Sequence, residues 1–124
     1  MINIPELTEL HEVAEKYSMT INELHDPAEE FELYDLERQS AITCIITTEQ
    51  DLFSIDVHNP DRQVFLALKD VLQRYNLPTE NFIELAITCF NSKEYDIKEY
   101  SDFWVEFRAH EIDILLIRYR RRIE

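Results

Sequence analysis

The sequence predicts a single α+β domain spanning 1–124. An N-terminal helical segment is expected on an antiparallel sheet of four or five strands, with one central helix over 60–76 covering a face. Three observations carry this expectation. Val64, Leu68, Val71, Leu72 and Tyr75 recur at helical spacing, between the start signal Asn59-Pro60 and the stop signal Asn76 and Pro78. Segments 41–48, 52–58 and 103–109 are β-rich or alternate at strand length. The chain has 124 residues, 45% of them hydrophobic, which suits one domain with one core. An acidic helical part, 1–38, is expected to precede a sheet-and-helix core, 39–124.

Asn3 and Glu6 match a capping box, and Leu7, Leu10, Ala14 and Tyr17 continue as a helical stripe, predicting a helix from Pro5 to about Tyr17. Thr20 and Glu23 match a second box for a short helix anchored by Ile21 and Leu24 and stopped at Pro27. Residues 28–38 fit two states: Phe31 and Leu33 suit an edge strand, Leu33 and Leu36 a helical turn. Segments 41–48 and 52–58 form a hairpin through Glu49-Gln50, with Phe53, Ile55 and Val57 on one face and Ser54, Asp56 and His58 on the other. Helix 60–76 is expected to bury Leu68, Val71 and Leu72 against Ile45, Ile55, Val57 and Ile87.

Segment 82–90 reads as a strand with Ile83, Leu85, Ile87 and Cys89 on one face. Segment 103–109 reads as another, with Phe103, Val105, Phe107 and Ala109 opposite Trp104. The final segment fits both periods. Ile112, Leu115, Leu116, Tyr119 and Ile123 make a helical stripe, while Ile112, Ile114 and Ile117 favour a strand at its start. Ala-Ile-Thr-Cys occurs at 41–44 and again at 86–89, which suggests a weak internal duplication of a strand–strand unit.

Net charge is −14, from 26 acidic and 12 basic residues. Residues 1–40 contribute −9 of it, and the chain closes on Arg118-Tyr119-Arg120-Arg121-Arg122. Glycine is absent, where average usage gives about nine. That absence excludes a P-loop, a dinucleotide fingerprint and a GxSxG elbow. Cys44 and Cys89 lie in apolar runs, which reads as two buried thiols in a reducing, cytoplasmic setting rather than a disulfide scaffold. The first six residues lack the features of a signal peptide, and no apolar run is long enough for a membrane span, so no membrane association is expected.

No His or Cys spacing matches a metal motif, so neither metal nor cofactor is expected. Asp56 and His58 share a strand face and, with His110, form an alternative polar site for a small enzyme or ligand-binding protein. The arginine cluster 118–122 around Tyr119 is the feature a nucleic-acid regulator would use, but the field of the chain opposes phosphate. The leading expectation is a non-enzymatic acidic module that binds a basic protein surface, as an inhibitor, immunity protein, antitoxin or phosphate-surface mimic does. Its expected contact is the acidic stretch Glu29, Glu30, Phe31, Glu32, Tyr34, Asp35 and Glu37, with aromatic anchors and acidic steering. The oligomeric state is left open, a homodimer included.

Overall fold

A computed structural model describes residues 2–23 and 29–122. The elements run α1 (Leu7–Lys16), β1 (Thr20–Glu23), β2 (Glu30–Asp35), β3 (Ser40–Thr47), β4 (Leu52–His58), α2 (Arg62–Arg74), α3 (Phe82–Ser92), β5 (Tyr95–Glu99), β6 (Phe103–His110) and β7 (Ile114–Arg121). The strands form one antiparallel sheet in the order β1-β2-β3-β4-β7-β6-β5. The α+β class is as expected, but among the described residues the sheet has seven strands rather than four or five. Among the described residues the sheet shares one hydrophobic core with three helices: α1 and α2 lie where helices are expected, and α3 stands where a strand is expected.

Alternation sorts the two faces. Ile42, Cys44 and Ile46 of β3, Phe53, Ile55 and Val57 of β4, Leu115, Ile117 and Tyr119 of β7, and Phe103, Val105 and Phe107 of β6 point into the core. The helices cover that side, α2 lying between α1 and α3. Leu68, Val71 and Leu72 of α2 are fully buried, as expected, but Ile45 is not beneath them. It shares the parity of Ala41, Thr43 and Thr47 and lies on the uncovered face; Cys44 takes the core position. Ile87 is only partly buried, at the margin of the core.

Helix starts are shifted from their sequence signals. The α1 capping box forms between Glu6 and Glu9, three residues after the expected one. The N-cap of α2 is Asp61, whose carboxylate accepts from the Val64 N–H at 3.0 Å, while Asn59 adopts a left-handed turn and donates its side-chain amide to the Arg38 carbonyl.

Among the described residues, the segment 1–38 is helical only in α1. Thr20–Glu23 is a strand rather than a capped helix, because pairing with β2 supplies the backbone hydrogen bonds that a single short turn would lack. Leu24, His25, Asp26 and Pro27 lie outside the described residues, as does Ile123. Residues 30–35 resolve to the strand reading, burying Phe31 and Leu33.

Segment 82–90 is helix, not strand. Its buried residues Phe82, Ile83, Ala86 and Cys89 follow helical spacing, and Glu84, Leu85 and Ala86 are strong helix formers. The Ala-Ile-Thr-Cys tetrapeptide is thus strand in β3 and helix in α3, which removes the suggested duplication. The last segment is strand from Ile114 to Arg121 after a turn at 111–113 that holds Ile112, and Arg118, Arg120 and Arg121 lie within β7.

With no glycine, the turns use other residues in the left-handed region. Ser18, Gln39, Asp51, Asn59, Asn76, Asn81, Lys93 and Glu111 all have positive φ. Asn76 follows α2, as its position behind the apolar stripe predicts.

Asp51 closes the β3–β4 turn and holds two other parts of the chain. Its carboxylate accepts from the Ile2 N–H at 2.8 Å and from Arg121 Nε at 3.0 Å. Burial pushes its pKa up, but the Ile2 N–H and the Arg121 charge outweigh this and hold it below the usual range. A carboxyl lowered in the folded state stabilises above its unfolded pKa of about 3.9, and that stability is lost as pH falls through the folded value. Asp51→Asn, which keeps a left-handed-tolerant residue, is expected to lower the urea midpoint at pH 7 and to narrow the gap to wild type on acidification below about pH 4. An unchanged gap at all pH values contradicts this role.

Candidate functional site

The uncovered face of the sheet is where this fold presents side chains without helical cover. Register places its outward residues in rows across the strands. One row runs Tyr34, Ala41, His58, Ile114, His110; the next runs Glu32, Thr43, Asp56, Leu116, Arg108, Tyr95. A third runs Glu30, Ile45, Ser54, Arg118, Glu106, Ile97, and Leu52, Arg120 and Trp104 follow. Rows are about 7 Å apart and strands about 4.8 Å.

Charge is divided across this face. Strands β1, β2 and β3 place Glu30 and Glu32 on it and no basic side chain. Strands β6 and β7 place Arg108, Arg118 and Arg120 on it, with Glu106 between them. Arg118 bonds Asp56 of β4 at 3.2 Å, and the Tyr95 hydroxyl donates to Glu106 at 2.7 Å, a bond that pushes the phenol pKa up. The Arg108 guanidinium lies 5.2 Å from the Tyr95 ring centroid.

The expected acidic contact is split by the pleat. Glu30, Glu32 and Tyr34 point outward, and Glu32 also accepts from Thr43 Oγ1 at 3.2 Å. Phe31 points the other way, is fully buried and stacks on Tyr75 at 6.3 Å, so it anchors the core and not a partner. Glu29 precedes the strand and its carbonyl accepts from the Ile46 N–H. Asp35 is engaged in the turn, accepting from the N–H groups of Glu37 and Arg38 at 3.1 and 3.2 Å. Glu37 is exposed in that turn, beside Leu36, which is 80% exposed. A concavity of about 600 Å³ lies along this edge, lined by Asn22, Glu32, Tyr34, Leu36 and Gln39 among others.

The alternative polar site does not assemble into a catalytic cluster. Asp56 is paired with Arg118, and Ile114 separates His58 from His110 in their row. His110 instead approaches Glu111 at 3.7 Å, with both side chains largely exposed. Among the described residues no group of three or more His, Cys, Asp and Glu is placed to hold a metal ion. Burial pushes both Cys44 and Cys89 thiols up in pKa, which disfavours the reactive thiolate.

The arginine run is divided by strand alternation as well. Arg118 and Arg120 face outward with Leu116, whereas Arg121 bonds Asp51 and Arg122 donates to the Tyr100 carbonyl at 3.1 Å. Much of the acidic α1 surface is likewise committed: Arg74 of α2 reaches Glu9 at 3.7 Å and Glu12 and Asp70 at 3.3 Å, and Lys16 bonds Asp70 at 3.3 Å.

Sequence reasoning missed Tyr95, Ile97 and Arg108 as members of this surface. Strand β5 has too mixed a pattern to stand out alone, and it becomes a strand by pairing with β6. The outward position of Trp104 was the available signal. No protein-family model matches the chain, nor does any curated protein or solved structure. Among the described residues no helix is long and apolar enough to cross a membrane.

Proposed function

We propose that the chain is a non-enzymatic binding module that takes a basic protein surface on the acidic half of the open sheet face, as inhibitors, immunity proteins, antitoxins and phosphate-surface mimics do. The supporting observation is the outward row Glu30, Glu32, Tyr34 of β2 leading to exposed Leu36, on a half-face without a basic side chain. Carboxylates with no cation on their own half of the face remain available to a partner's cations, and they speed encounter through the field they set up. Tyr34 and Leu36 supply apolar contact beside them. Two free buried thiols fit a cytoplasmic setting for this activity.

The test is capture from source-cell lysate with wild type and with Glu30→Lys/Glu32→Lys/Glu37→Lys, at low and high salt, followed by identification of the bound species. A basic protein held by wild type at low salt, weakened by salt and lost from the triple variant, is the expected result. Equal retention by both chains overturns the reading.

A further inference from the structure

Of the seven large apolar side chains exposed among the described residues, four lie on the open face: Ile45, Tyr95, Ile97 and Trp104, each 44–48% exposed. The helical side carries only Leu66, because the helices cover its apolar surface. Such clustering of exposed apolar groups on one face marks an interface. The same face is acidic on the β2 side and arginine-bearing on the β6–β7 side.

We propose that a second copy of this chain covers the open face, related to the first by a twofold axis parallel to β4. The charge division selects both the occupant and the axis. Rotation about an axis along the strands turns the face over and exchanges its two sides, so that β2 of one copy lies over β6 of the other and Glu32 is directed towards Arg108. Rotation about an axis across the strands would place β2 on β2, setting Glu30 and Glu32 against their own copies. In the first arrangement the acidic half meets the arginine half, with Glu32 over Arg108 made twice and Glu30 over Glu106 the one like-charged exception, whereas the second sets the acidic half on itself.

Size agrees with this. Seven strands about 4.8 Å apart, with outward rows covering about seven residues of about 3.4 Å each, present roughly 700 Å² per copy, close to the roughly 800 Å² per partner of a stable interface. Sheets stacked about 10 Å apart allow glutamate and arginine side chains to meet between them.

Single-stranded nucleic acid is the competing occupant, since Trp104, Tyr95 and three arginines supply rings and cations. Glu30, Glu32, Asp56, Glu99 and Glu106 on the same face oppose a phosphate backbone, which favours the second copy. The proposal does not depend on the basic-partner reading, but both use Glu30 and Glu32. A partner and a second copy therefore exclude one another, and the dimer keeps the acidic half covered.

Sedimentation of the full chain from micromolar to hundreds of micromolar tests this, together with two charge-swapped variants, Glu32→Arg and Arg108→Glu/Arg120→Glu. Wild type is expected to dimerise, each variant alone to be monomeric with its dissociation constant raised at least about tenfold, and their equimolar mixture to dimerise again. Trp104 is the sole tryptophan, so its emission should also move to shorter wavelength as wild-type concentration rises, a readout that needs no variant. A wild type that stays monomeric with unchanged emission overturns the proposal while leaving the basic-partner reading intact. Variants that dimerise like wild type, or a folded pair that fails to recombine, overturn it too. Binding of oligouridylate that is lost in Arg108→Glu/Arg120→Glu, with no dimer at any concentration, assigns the arginine half to nucleic acid instead.

Discussion

Phe31→Ala is expected to destabilise the chain by about 3–5 kcal/mol, the cost of removing a large ring from a closed core. Phe31 is fully buried, stacks on Tyr75 at 6.3 Å, and pairs in register with buried Cys44. Tyr75 in turn meets Phe53 edge-on at 4.8 Å, so the cavity would open at a three-ring junction between β2, β4 and the end of α2. Tyr34→Ala lies on the same strand with opposite parity and should cost under about 1 kcal/mol. Urea midpoints of the two variants measure the contrast directly. Similar losses for both would mean that the face assignment of β2 is wrong.

The second large effect is expected for Leu72→Ala, at about 2–5 kcal/mol. Leu72 is fully buried on the stripe with Val64, Leu68 and Val71, and α2 is the helix that touches both others. A cavity there loosens the middle of the helical layer, which cannot collapse inward because β-strands line its floor. Leu66→Ala on the exposed side of the same helix should change stability by no more than about 0.5 kcal/mol. Thermal and urea unfolding of this pair check the helix orientation independently of the sheet.

The legible parts of the fold were those where one period dominates. Helix α2 shows an unbroken 3.6-residue stripe, and β4 and β6 alternate cleanly, so each was readable from its own residues. Segment 82–90 satisfies both periods at once; Ile83, Leu85, Ile87 and Cys89 alternate, but packing on β6 and β7 selects Phe82, Ile83, Ala86 and Cys89. Strands β1 and β5 are edges with few buried side chains, so the information that makes them strands lies in their neighbours, β2 and β6. The candidate site was half legible for the same reason. Acidity in 29–37 is plain in the sequence, but only once the segment is a strand does the pleat separate Glu30, Glu32 and Tyr34 from Phe31. The arginines fare similarly: a contiguous run becomes two outward groups, Arg118 and Arg120, and two engaged elsewhere, Arg121 and Arg122.

We propose that the placement of the acidic groups, beyond their number, draws in a basic partner. The measurement that tests it is the association rate of a captured partner at low ionic strength with two double variants of equal charge change, Glu30→Lys/Glu32→Lys on the open face and Glu15→Lys/Glu84→Lys on the helical side, where both glutamates are exposed. The open-face pair is predicted to slow association at least about tenfold, and the helical pair to stay within about twofold of wild type. Equal slowing by both pairs would show that net charge alone governs the encounter and would contradict the assignment of the open face.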